Sequence, residues 1–122
     1  MPKKILIIED DPAQVLMLQM RLKEEQFEVV SAMDGKEGLR KAAEETPDLI
    51  LLDVVLPGMS GIDVCIALKD GPRTKEIPVL LLTASAMRGL EERVKTFGVA
   101  GCLVKPYEMK ELLEKIGGIL QV

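Results

Sequence analysis

The chain has 122 residues, 48% hydrophobic, 30% charged and only 2% aromatic, with a formal net charge of -4. That describes one domain with an aliphatic core, and its acidic balance excludes direct nucleic-acid binding, which needs clustered basic charge. The absence of histidine removes Ser-His-Asp and Cys-His catalysis, a phosphohistidine relay within the chain and a Cys/His zinc site. The four apolar residues after Lys3-Lys4 are too few for a signal peptide, and no apolar stretch approaches a membrane span, so a cytoplasmic setting is expected.

Two periodicities alternate along the chain. The first strand is expected at Ile5–Ile8 and stops at Glu9-Asp10-Asp11. Pro12, favoured in a first helical turn, opens a helix to about Glu25 with Val15, Leu18 and Leu22 on one side. A second strand at Glu28–Ser31 precedes a helix from Asp34 to about Glu45, where Asp34 and Glu37 have capping-box spacing, Leu39, Ala42 and Ala43 face inward and Pro47 ends the segment. The run Leu49–Leu52 ends in Asp53, and a loop containing Gly58 leads to a helix from Gly61 to about Lys69 with Ile62, Cys65 and Ile66 on its inner face. Gly71-Pro72 punctuates the next loop; a strand at Val79–Leu82 ends in Thr83. A shorter helix is expected from Leu90 to Phe97, a fifth strand at Cys102–Val104 ending in Lys105, and a last helix from Glu108 to about Gly117 carrying Leu112, Leu113 and Ile116. Cys65 and Cys102 form no C-x-x-C pair and read as small buried or half-buried apolar residues of a reducing compartment.

The aliphatic runs mostly lack polar alternation, as strands buried on both faces do. Five of them alternating with five helices predict an α/β fold, (βα)5, with an open, doubly wound parallel sheet. Ligands bind such sheets at the carboxyl ends of the strands, which gathers Glu9, Asp10, Asp53, Thr83 and Lys105 at one rim. Asp53 is the informative member, because an ionised side chain ending a buried strand is costly unless compensated.

Three clustered acids call for a cation, and Mg²⁺, which takes oxygen ligands and keeps several waters, is the natural choice. Glu9, Asp10 and Asp11 also fit as acids at the start of the Pro12 helix, which accounts for Asp11 and leaves Asp53 unexplained. A carboxylate nucleophile, a metal, a threonine hydroxyl and a lysine make a phosphoryl-transfer set. Lys105 would pair with Asp53 at rest and with a phosphoryl oxygen afterwards, and Lys105-Pro106 invites a cis peptide.

With Ile5–Asp10, the run Asp53-Val54-Val55-Leu56-Pro57-Gly58-Met59-Ser60-Gly61, Leu81-Leu82-Thr83-Ala84 and Lys105-Pro106 in order, the chain resembles the receiver domain of two-component response regulators over residues 1–122. The resemblance implies the flavodoxin-like strand order 2-1-3-4-5 and a phosphoprotein acting as a switch, no enzyme beyond its own phosphorylation and dephosphorylation. It implies an aspartyl phosphate on Asp53, taken from a sensor histidine kinase, a phosphotransfer protein or a small phosphodonor. Mg²⁺ would be bound by Asp10, Asp53 and the Val55 backbone carbonyl, with Glu9 acting through water, while Thr83 and Lys105 bind the phosphoryl group. The downstream protein partner would meet the fourth helix, fifth strand and fifth helix, with homodimerisation on phosphorylation as a further outcome.

Several positions depart from the pattern. Cys102 stands where receivers commonly carry an aromatic residue, three before the lysine, and Tyr107 lies two after it. Val55 and Ser85, which would flank the phosphoryl group, offer no acid or amide to position water, so a long-lived phosphoryl aspartate is expected. Val122 lies about where the last helix should end, which predicts a stand-alone or excised receiver. A phosphorylation-independent binding module on the same fold is the alternative. A haloacid-dehalogenase-like phosphatase would need an acid where Val55 stands, and a nucleotide site would need a Gly-rich loop after the first strand.

Overall fold

The aliphatic runs become five strands: β1 (Lys4–Ile8), β2 (Glu28–Ala32), β3 (Leu49–Asp53), β4 (Val79–Thr83) and β5 (Gly101–Val104). A computed structural model describes residues 2–83 and 98–122. The strands pair in parallel in the order β2-β1-β3-β4-β5, the flavodoxin-like doubly wound arrangement expected. Every residue of β3 and β4 is buried, because both faces of an interior parallel strand are covered by helices. Edge strand β2 is only partly covered.

Alternate residues of each strand point to opposite faces, dividing the core in two. On one face Leu6, Ile8, Ile50, Leu52 and Leu81 meet Ala42 of α2 (Gly35–Glu45) and Val64, Cys65 and Leu68 of α3 (Gly61–Asp70). On the other, Ile5, Ile7, Leu49, Leu51, Leu80, Leu82 and Leu103 meet Val15, Leu18 and Leu22 of α1 (Pro12–Glu24) and Leu112 and Ile116 of the C-terminal helix (Met109–Leu120).

Local signals act largely as expected, with three differences. Asp34 caps α2 by accepting from the Glu37 N–H at 2.9 Å, but the Glu37 carboxylate turns to Lys41 Nζ at 3.4 Å instead of closing a capping box. In α3 the inner face is Val64, Cys65 and Leu68, while Ile66 is 41% exposed; the helix sits rotated on the sheet so that Val64, not Ile66, meets the core. The C-terminal helix runs on to Leu120, past the pair Gly117-Gly118, since Leu112 and Ile116 hold it down by tertiary packing, which outweighs the low propensity of glycine. The helix expected at Leu90–Phe97 lies outside the described residues. Neither cysteine is in a disulfide, Cys65 being buried and Cys102 half-buried, and no helix among the described residues is long and apolar enough to cross a membrane.

The loop between β3 and α3 returns tightly onto its own strand. The Gly61 N–H donates to the Val54 carbonyl at 2.7 Å, and a Cβ on Gly61 would overlap the Asp53 carbonyl oxygen and stand 2.6 Å from Val54 Cα. Gly58 has φ +80° in open space, so its requirement is conformational. Gly61→Ala is therefore expected to lower stability in urea unfolding by more than about 3 kcal/mol, because the overlap is with backbone. Gly58→Ala should cost only about 1–2 kcal/mol from its left-handed φ; equal losses would contradict this division of roles.

Candidate functional site

Parallel strands all end on one side, so their last residues converge without any of them being close in sequence. Asp53 ends the central strand β3, and Glu9 and Asp10 follow β1 on one flank. Thr83 ends β4 on the other flank, and Lys105 follows β5 beyond it. The crevice between β1 and β3 is where the winding direction reverses, the usual ligand position in such sheets.

Asp53 is only 7% exposed. Its Oδ1 accepts from the Val55 N–H at 3.1 Å and its Oδ2 from Lys105 Nζ at 3.3 Å. The Lys105 backbone N–H donates to the Thr83 carbonyl at 2.6 Å, extending the β4–β5 ladder by one bond and seating the lysine beside the aspartate. The Lys105-Pro106 peptide is cis. Thr83 is buried at the end of β4, whereas Val55 is 68% exposed.

Glu9 is held by its backbone, whose N–H donates to the Ala32 carbonyl at 3.0 Å. Its side chain is 5% exposed, and Oε2 is buried without a hydrogen-bond partner among the described residues; Lys105 Nζ stands 3.7 Å away, an ion pair beyond hydrogen-bond distance. Burial first, then the neighbouring Asp53 carboxylate, pushes the Glu9 carboxyl up to about 8. Asp10 is exposed at the same rim, and carboxylate oxygens of Glu9, Asp10 and Asp53 all lie within 4.8 Å of one another. Asp11 has the other role read for it: it caps α1, accepting from the Ala13 N–H at 3.0 Å.

Among the described residues one ammonium faces three carboxylates, so the cluster they form is under-compensated. A divalent cation with oxygen ligands fits: the donors are all oxygen, and the unpartnered Glu9 Oε2 is the atom that such a cation, or a water on it, would satisfy.

Two features of this region escaped the sequence reading. Ser60 accepts from the Asp63 N–H at 3.1 Å, and the spacing Ser60-x-x-Asp63 could have identified this cap of the helix expected from Gly61. Tyr107 has a buried hydroxyl with no hydrogen-bond partner among the described residues. Burial, then the charges of Glu9 and Asp53, raise its pKa; no local pattern announces that proximity. Ser85 lies outside the described residues.

Glu9 sets a pH dependence for the metal-free chain. An acid whose folded pKa exceeds its unfolded value holds extra protons when folded, so stability falls as pH rises through that interval. Chemical unfolding in a chelator is expected to show stability declining from about pH 4.5 to about pH 8, with the decline reduced in Glu9→Gln. A Glu9→Gln profile parallel to the wild type would assign the slope to other groups.

Comparison with known proteins agrees with this geometry. The family described as the response regulator receiver domain matches residues 5–117. The response regulator PleD of Caulobacter vibrioides is 42% identical over 116 residues, which cover 95% of this chain but 26% of PleD. The polar-differentiation response regulator DivK of Brucella anthropi is 36% identical over 120 residues, 98% of both chains. Among solved structures, the Vibrio cholerae chemotaxis protein CheY4 superposes with a TM-score of 0.92 at 31% identity, covering 98% of this chain and 100% of that one. A CheY-like receiver domain protein of Methanospirillum hungatei gives 0.90 at 31% identity, covering 99% and 95%. With a family match over nearly the whole chain and a buried strand-end aspartate between an acid pair and a lysine, this protein belongs to the response regulator receiver domain family.

Proposed function

We propose that this two-component receiver, read as one domain over residues 1–122, works by Mg²⁺-dependent transfer of a phosphoryl group to Asp53. The observation that carries the reading is the pairing of Asp53: Oδ1 on the Val55 N–H, Oδ2 on Lys105, and two further carboxylates within 4.8 Å. The transfer forms a bond from an Asp53 oxygen to phosphorus and breaks the donor's bond, to an imidazole nitrogen of a histidine kinase or phosphotransfer protein, or to the oxygen of a small acyl phosphate. The leaving group departs with the electron pair of that bond; the imidazole nitrogen takes a proton from solvent, whereas the carboxylate of an acyl phosphate leaves as the anion.

Each residue has a part in that transfer. The Val55 N–H holds Oδ1 and leaves the rest of the carboxylate to act. Lys105 neutralises Asp53 at rest, then moves to a phosphoryl oxygen as a compact charge, where the Thr83 hydroxyl donates a second contact. Asp10, Asp53 and the Val55 carbonyl would hold Mg²⁺, with Glu9 acting through water; bound there, the ion neutralises oxygens of donor and product.

The product is a signal read by proteins. The outward surface of β5, where Val104 is 40% exposed, and the C-terminal helix offer a face for the downstream partner or for a second copy after phosphorylation. On α1, Leu16, Met17 and Met20 are 57%, 44% and 59% exposed, an apolar strip descending from the rim that suits contact with the phosphodonor protein.

Incubation with Mg²⁺ and a small acyl phosphate is expected to add one phosphoryl group by intact mass, an addition lost with a chelator and in Asp53→Asn. Lys105→Ala should still accept the group while losing the conformational response. Asp53→Asn labelled to wild-type stoichiometry would overturn the site assignment, and no labelling at all would favour a phosphorylation-independent binding module. The exposed Val55 side chain provides nothing to orient an attacking water, so the phosphoryl aspartate should persist for minutes or longer after the donor is removed. Decay within seconds would refute that reading of Val55.

A further inference from the structure

Two buried polar atoms beside the site lack hydrogen-bond partners among the described residues: Glu9 Oε2 and the Tyr107 hydroxyl. Leaving such an atom unsatisfied forfeits the hydration it gave up on burial, and a buried tyrosine hydroxyl ordinarily finds a partner. The two are complementary, one an acceptor and the other a donor. Asp53 does not compete for the phenol in the same way, since each of its oxygens is already engaged, by the Val55 N–H and by Lys105.

Both orphans flank the same lysine. Lys105 Nζ stands 3.7 Å from Glu9 Oε2, and Tyr107 follows Lys105 by two residues and shares with it the wall of a groove of about 380 Å³, completed by Gln14, Met17 and Pro106. Burial first, then the neighbouring Glu9 and Asp53, holds the phenol's proton in place, leaving it a donor. The ring packs against the core that includes Leu103, Leu112 and Ile116, and the next residue, Glu108, is the N-cap of the C-terminal helix.

We propose that Tyr107 is a positioning residue of this site: its hydroxyl, joined to the Glu9 carboxylate through one water, holds Glu9 and Lys105 in register with Asp53 and links that cluster to the C-terminal helix. The inference deepens the Mg²⁺-dependent phosphoryl-transfer reading and rests on it. The competing account is an aromatic core residue whose hydroxyl is merely tolerated, in which case phenylalanine would serve equally well.

The chain contains one tyrosine and no tryptophan, so its intrinsic emission reports Tyr107 alone. The full chain would be titrated with MgCl₂ while tyrosine emission is recorded, with calorimetry giving the binding curve independently. Emission is expected to change with the same half-saturation as the heat. Tyr107→Phe should lose about three- to tenfold in Mg²⁺ affinity, the effect of one hydrogen bond, and label more slowly with acyl phosphate at subsaturating Mg²⁺ while keeping its melting temperature. Binding heat with silent emission, or Tyr107→Phe with wild-type affinity and labelling, would overturn the inference and leave the phosphoryl-transfer reading intact. A wild-type chain that neither binds Mg²⁺ nor accepts a phosphoryl group would overturn both.

Discussion

Three carboxylates share a space under 5 Å across with, among the described residues, a single lysine beside them, and the rest of the rim can be understood as a response to that imbalance. Glu9 and Asp53 are both nearly closed to solvent, so water screens them little. The elevated pKa of Glu9 expresses its burial first and the neighbouring Asp53 carboxylate second, as a proton retained. A site built this way is poised to take up positive charge, and adding or removing charge there changes the energy of everything attached to it. That is the physical requirement for a switch: a local electrostatic event with a structural element to bias.

The scaffold is stiff where the chemistry needs position. Asp53 lies on a strand buried along its whole length, and its carbonyl is covered by the approach of Gly61. Lys105 is tied through its own backbone to Thr83 on the neighbouring strand. Each residue is held by main-chain geometry, leaving its side chain free to exchange partners. Val55, by contrast, contributes a backbone N–H to Asp53 while its side chain stands in solvent, so one residue of the β3–α3 loop separates an anchoring role from an accessible surface.

The two halves of the core give the site two mechanical outlets. Cys102 packs with the α2 and α3 side of the sheet, whereas Tyr107 packs with the α1 and C-terminal-helix side. Lys105 lies between them in sequence, so the residues on either side of it are seated in different halves of the core.

Much of this architecture was legible in the residues themselves. Strands buried on both faces must be continuous aliphatic runs, so β1, β3 and β4 were readable from Ile5–Ile8, Leu49–Leu52 and Val79–Leu82 to within a residue, and Pro12 and Asp34 marked helix starts because capping is local chemistry. The convergence of Glu9, Asp10, Asp53, Thr83 and Lys105 followed as well, since parallel strands end on one side. Tertiary structure alone decided the rest. Ile66 and Val64 are equally apolar, and only the rotation of α3 on the sheet turned one outward and the other inward. Asp10 and Glu9 are adjacent acids, yet one is exposed and the other buried with an oxygen that has no hydrogen-bond partner among the described residues. Tyr107 gave no local sign of nearing the acids. Burial, partnership and charge coupling depend on what long-range packing brings against a side chain, which no spacing within a single segment specifies.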